Sequence, residues 1–163
     1  RIVKKFYPNA KFLLVGSYDI KDKRAISKTK LDQWKSDGVG IQLNFGADIP
    51  DLLKQATAIV LPSYREGAPR SLIEASSTGR PCISTNTPGC NYVVDDNVTG
   101  LLCKPRDSTD LAEKILKFIK LPYEEKVRIG IEARKKMERE FSIDIVISNY
   151  TRCIEYYQKK SKN

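Results

Sequence analysis

AIVLPSYREGAPRSLIEASSTGRPCIST, residues 58–85, decides the architecture. Residues 58–62 form an unbroken apolar run of strand length, the pattern of a parallel strand covered on both faces. Residues 63–69 (SYREGAP) carry Gly67 and Pro69 and no periodicity, so they read as a loop. A helix follows from about 70 to 78 and ends at Gly79, and 81–85 (PCIST) returns as a second strand. Strand, helix, strand in so short a span is a right-handed crossover between parallel strands.

Working outward, the same alternation continues in both directions. Upstream, residues 1–7 read as the end of a helix stopped by Pro8-Asn9, and 11–16 (KFLLVG) as a buried strand. Residues 25–36 place Ile26, Lys30 and Trp34 at helical spacing, and Gly38 ends that helix. Residues 39–45 (VGIQLNF) alternate as a strand turned by Gly46, and Asp48 caps a short helix beginning at Pro50. Downstream, 86–100 is turn-rich and 101–103 is a brief strand. Three helical patterns follow, 108–120, 122–139 and 142–159, with Pro122 between the first two and Ser142 as cap of the third. The charged run RKKMERE at 134–140 reads as an exposed helix face. The whole predicts an α/β fold, a Rossmann-like doubly wound parallel sheet.

Composition narrows the chemistry. The chain has 163 residues, 29 Lys+Arg against 20 Asp+Glu, four Cys and no His. Without histidine this chain cannot build a Ser-His-Asp triad, a Cys-His pair or a His-ligated metal site. The formal charge of +9 invites a nucleic-acid reading, but the basic excess lies at the two ends and the middle is slightly acidic. There is neither a basic stripe nor an interleaving of aromatic and basic residues, so no nucleic-acid partner is expected. The cysteines at 82, 90, 103 and 153 have no metal-binding spacing and read as buried free thiols in a reducing compartment. No apolar run approaches the ~20 residues of a membrane helix. Residues 97–99 and 149–151 match a glycosylation sequon, which chance explains.

In sheets of this kind ligands sit at the carboxyl ends of the strands. There the 63–69 loop carries Glu66, and Glu74 follows eight positions later, a turn inside the helix. The amides of residues 70–72 would face the strand ends unpaired, reinforced by the helix dipole, which makes a phosphate site. Gly67 allows close backbone approach, Arg70 can pair with a phosphate, and a carboxylate such as Glu74 can accept hydrogen bonds from a ribose diol. The residues are equally consistent with an ordinary helix start, Glu66 favouring the dipole and Glu74 on a solvated face.

The stretch 61–105 resembles the donor-binding half of family 4 retaining glycosyltransferases of GT-B architecture. It matches their Glu-x7-Glu motif at Glu66 and Glu74, the small-residue-Gly-x-Pro step at Thr78-Gly79-Arg80-Pro81, the Pro-Gly turn at Pro88-Gly89, and the Asn/Asp-x-x-x-Gly-Leu/Phe-Leu segment around Asn97 to Leu102. Weaker similarity covers most of the remaining chain. The resemblance implies that Glu66 is catalytic, contacting the transferred sugar near its reacting carbon. It implies that Glu74 binds the ribose, and that Gly67, Ala68, Pro69, Arg70, Ser71 and Leu72 bind the donor and hold its diphosphate. The form Tyr-Arg-Glu-Gly-x-Pro-Arg-Ser is similar to that of members building capsular, O-antigen or lipid-linked oligosaccharides from UDP-sugars. No metal and no cofactor beyond the nucleotide-sugar are implied. The acceptor would be a saccharide or lipid-linked acceptor bound by an N-terminal domain.

On this resemblance residues 1–140 are a nucleotide-sugar-binding domain incomplete at its N-terminus, and 141–163 a C-terminal helix crossing back to an acceptor domain absent from this chain. The expected setting is cytoplasmic, with peripheral contact at the inner face of the membrane, and the piece alone is expected to be inactive. The other reading of the same residues is a non-catalytic UDP-sugar-binding or regulatory module.

Overall fold

The computed structural model describes residues 1–16, 26–43 and 48–161. The Gly46 turn, residue 25 and the end of the strand at 44–45 lie outside them. The chain forms two compact units, Arg1–Gln55 and Ala56–Asn163.

The first unit contains α1 (Ile2–Phe6), β1 (Leu13–Val15), α2 (Lys28–Ser36), β2 (Ile41–Leu43) and α3 (Ile49–Gln55). β1 and β2 are parallel, with Leu13 opposite Ile41 and Val15 opposite Leu43. Local chemistry sets the helix starts. The Ser27 hydroxyl accepts the Lys30 amide at 3.3 Å, and the Asp48 carboxylate accepts the Asp51 amide at 3.3 Å, each satisfying a donor the first helical turn leaves over. β1 was expected to be buried, yet Leu13, Leu14 and Val15 are all more than two-fifths exposed. Among the described residues β2 is its only strand partner, and a two-stranded ribbon cannot cover both of its own faces.

The second unit contains β3 (Ile59–Leu61), α4 (Arg70–Ser77), β4 (Cys82–Thr85), α5 (Cys90–Val93), β5 (Gly100–Cys103), α6 (Ser108–Lys120), α7 (Tyr123–Glu140) and α8 (Ile143–Lys160). Its sheet runs β3-β4-β5, all parallel. The central strand β4 is buried at every position, whereas the edge strand β3 is only partly so. Ile83, Leu101 and Phe118 meet in the core, with Leu111 and Ile115 of α6 packed against them. Leu72 and Ala75 of α4 are wholly buried.

α7 lies tightly on the end of α4. A Cβ placed on Gly130 would stand 2.2 Å from the Gly79 carbonyl oxygen, so only glycine permits this approach. The Arg134 guanidinium donates to the Ser77 carbonyl across the same contact. The charged run at 134–140 is therefore not the uniformly exposed face its composition suggests. Lys136 and Met137 are buried, because positions 129, 130, 133, 136 and 137 line one helical stripe turned toward the body. The Lys136 ammonium escapes isolation by donating to Asp95 Oδ1 at 2.7 Å, with Glu140 at 4.0 Å.

Two other expectations change. The turn-rich stretch 86–100 holds the single-turn helix α5. Cys82, Cys90 and Cys103 are buried, but Cys153 on α8 is exposed. Thr99 of the first sequon is buried, and its hydroxyl accepts the Asp95 amide at 2.8 Å, which gives that residue a turn-closing role. α8 starts at the Ser142 cap as expected, its hydroxyl accepting the Ile145 amide at 3.4 Å. No residue of α8 is buried, and Ile143, Ile147, Tyr150, Ile154 and Tyr157 present an exposed apolar face. Among the described residues no helix is long and apolar enough to cross a membrane.

Candidate functional site

The carboxyl ends of β3, β4 and β5 bring three loops to one edge of the second unit. The loop after β3 carries Glu66, half-buried, and feeds α4, where Glu74 lies one turn in. That loop is tied down along its length. The Ser84 hydroxyl donates to the Leu61 carbonyl at 2.7 Å. The Thr85 hydroxyl donates to the Ser63 carbonyl and lies 3.3 Å from the Thr87 hydroxyl. The Glu66 amide donates to the Pro88 carbonyl at 3.2 Å. Gly89, at φ +86°, presses so closely that a Cβ there would stand 2.3 Å from the Glu66 carbonyl oxygen and 2.9 Å from that of Gly67. On the β5 side, the Arg106 guanidinium lies 5.2 Å from the centre of the Tyr64 ring, a cation-π distance.

At the start of α4 the flanking residue is Pro69, which offers no capping side chain. Its carbonyl accepts the amides of Leu72 at 3.0 Å and Ile73 at 3.1 Å. The Leu72 amide is thus used inside the helix, contrary to the expectation of free amides across 70–72. The amides of Arg70 and Ser71 find no acceptor among the described residues, so α4 presents two orphan donors where its dipole is positive. Above them the Arg70 side chain is almost fully exposed and approaches Glu74 only at 3.6 Å.

The sequence-derived residues therefore divide by geometry. Glu66, Gly67, Ala68, Arg70, Ser71 and Glu74 reach the surface at this edge, whereas Pro69 and Leu72 are buried. The side chains of those two support the helix start, and only their main chain can face a ligand. Three supporting residues are not marked as such by the sequence: Thr85, Tyr64 and Arg106. Pro88-Gly89 is visible as a turn, but nothing local shows that it folds onto Glu66.

Two helix-end amides beside an exposed guanidinium can hold an anion, and the flanking carboxylates can accept hydrogen bonds from hydroxyls. The architecture is that of one lobe of a GT-B glycosyltransferase. The structure superimposes on Anabaena HepE in complex with UDP with a TM-score of 0.83, at 22% identity, over 95% of this chain and 44% of that one. The family profile of the glycosyl transferases group 1 matches residues 1–136, and the chain belongs to that family. Among curated relatives, it is 28% identical over 169 residues to N,N'-diacetylbacillosaminyl-diphospho-undecaprenol alpha-1,3-N-acetylgalactosaminyltransferase of Campylobacter jejuni, covering 99% of this chain and 42% of the relative. It is also 28% identical over 152 residues to UDP-Gal:alpha-D-GlcNAc-diphosphoundecaprenol alpha-1,3-galactosyltransferase of Escherichia coli, covering 86% and 38%. The chain thus spans about two-fifths of the length of these relatives.

Proposed function

We propose that this chain is the donor-binding lobe of a retaining, family 4 glycosyltransferase that moves a hexosyl or N-acetylhexosaminyl group from a UDP-sugar to a lipid-linked saccharide in bacterial surface polysaccharide synthesis. The observation that carries the reading is the start of α4, where the Arg70 and Ser71 amides have no acceptor among the described residues and the exposed Arg70 guanidinium lies 3.6 Å from Glu74. UDP bound to a structural neighbour and the diphosphoundecaprenol acceptors in the relatives' names support the choice of nucleotide and acceptor.

On this reading the donor diphosphate lies across the start of α4. Breaking its bond to the anomeric carbon develops positive charge on the sugar and extra negative charge on the departing phosphate. The two amides, the helix dipole and Arg70 stabilise that negative charge without a metal. Glu66 meets the sugar hydroxyls beside the reacting carbon, and Glu74 accepts from the ribose diol. The acceptor hydroxyl attacks from the leaving-group face and passes its proton to the departing phosphate, which gives retention in a lobe without histidine. The apolar face of α8 packs on the acceptor domain, outside this chain, and the assembly works at the cytoplasmic face of the membrane. The lobe alone turns nothing over.

The experiment is a UDP titration and a nucleotide-sugar turnover screen on the full-length protein. Arg70→Ala should weaken UDP binding about tenfold or more, the loss of a charge-assisted contact. Glu66→Gln should lower kcat about a hundredfold while UDP binding persists. UDP binding indifferent to both Arg70→Ala and Glu74→Ala would remove the site from this edge.

A further inference from the structure

We propose that Gly89 is a positioning residue: the turn after β4 sets where Glu66 stands, so that turnover depends on a position 23 residues away in sequence. The inference rests on the assignment of Glu66 as the residue meeting the transferred sugar.

The two segments meet through main-chain atoms at the residue whose placement matters. The Glu66 amide donates to the Pro88 carbonyl at 3.2 Å. The next residue, Gly89, holds φ +86° and leaves no room for a Cβ against the carbonyls of Glu66 and Gly67. A rotamer change cannot relieve that overlap, because every atom in the way is backbone. Any side chain at Gly89 therefore has to push the 66–67 peptide away from the turn, and the Glu66 carboxylate moves with it. The push is not shared along the loop. Upstream, Ser63 is tied to Thr85, and downstream Pro69 is buried with its carbonyl committed to α4. With both flanks fixed, displacement concentrates between residues 64 and 68. The anchor on the other side of Gly89 is equally firm, since Cys90 and Val93 of α5 are wholly buried and the Asn91 amide donates to the Thr87 carbonyl at 3.0 Å.

The Arg70 and Ser71 amides, to which the proposed function gives the diphosphate, stand outside the displaced segment, while Gly67 and Ala68 move with Glu66, so turnover should fall more steeply than nucleotide affinity. A misplacement of about 1 Å at a reacting centre can cost about a hundredfold in rate. In the full-length protein, Gly89→Ala should lower kcat tenfold to a hundredfold, with UDP affinity unchanged within about threefold. Turnover is normalised to the UDP-binding sites titrated in the same preparation, so misfolded protein is not counted. Gly79→Ala is the control: it has the same left-handed backbone, φ +71°, but its Cβ would meet its nearest atom at an ordinary 3.7 Å. It should lower stability and leave kcat per site near wild type. If Gly89→Ala yields no folded protein, Thr85→Val releases the loop at Ser63 without changing volume, and it should lower kcat at constant UDP affinity by a smaller factor. Wild-type kcat per site in Gly89→Ala, or a loss no greater than that of Gly79→Ala, overturns the inference. A Glu66→Gln enzyme as active as wild type instead overturns the underlying assignment, so the two failures are told apart.

Discussion

Gly130→Ala offers a clear test of how the second unit is packed, because helix propensity and tertiary contact predict opposite signs. In the interior of α7, alanine should stabilise the helix by about 0.8–1 kcal/mol over glycine. Against this, the new Cβ would lie 2.2 Å from the Gly79 carbonyl oxygen and 3.2 Å from its carbon. A tolerable contact requires the two helices to separate by about 0.8 Å or more, an overpacking that costs about 1–3 kcal/mol. The Gly79 carbonyl cannot swing aside freely, since φ there is already +71°. Separation also stretches the bond from Arg134, one turn further along α7, to the Ser77 carbonyl, worth about another 1 kcal/mol. The net expectation is a loss of about 1–3 kcal/mol and a fall in Tm of about 3–10 °C for a chain of this size. Far-UV circular dichroism melts measure it, with urea midpoints at constant slope as the independent reading. A Tm equal to or above that of wild type would show that propensity outweighs the contact and that the α4–α7 approach is not tight.

Two further outcomes follow from buried groups. Burial pushes the Cys82 thiol up to about 12, so the folded state keeps its proton after the unfolded thiol has begun to lose it near pH 9; its contribution is intact below that pH and is lost as pH rises from 9 toward 12, at up to about 1.4 kcal/mol per pH unit. Comparing wild type with Cys82→Ala between pH 8 and 11 isolates this slope, and at pH 8 a thiol reagent should label exposed Cys153 rapidly and Cys82 only on unfolding. At the buried Lys136, removing the partner should be worse than removing the charge: Asp95→Ala is expected to cost about 3 kcal/mol and Lys136→Met less than about 1 kcal/mol. Denaturant melts giving the reverse order would show that the ammonium draws its compensation from elsewhere.

The alternation of strands and helices was legible because hydrophobic period and punctuation agreed. The run at 58–62, the Gly79 stop and the Ser142 cap each mark a boundary that the structure reproduces within a residue or two. The candidate site was legible as a segment for the same reason: Glu66 to Glu74 straddle a loop and the first turn of one helix. What escaped was non-local or too short to have a period. α5 has four residues, barely one helical turn, and its Gly89 entrance looks like any turn. The stripe through Gly130, Ala133 and Met137 was hidden beneath a run of charges, although its three- and four-residue spacing was there to be read. The sequence pattern does not distinguish the amides of residues 70–72; the tight first turn, in which the Pro69 carbonyl accepts the Leu72 amide, does.

The seat of Glu66 between strand ends has a kinetic side. β4 pairs on both edges with strands about twenty positions away, and both connections are local enough to close early in folding. The Glu66 amide gains its acceptor only when the turn after β4 has docked. Its hydrogen exchange thus reports a single event, the meeting of two crossover loops, and its protection should track the opening of that contact more closely than the melting of α4. A slow-exchanging amide in an otherwise exposed loop would serve as a built-in gauge of how often the edge of the sheet comes apart.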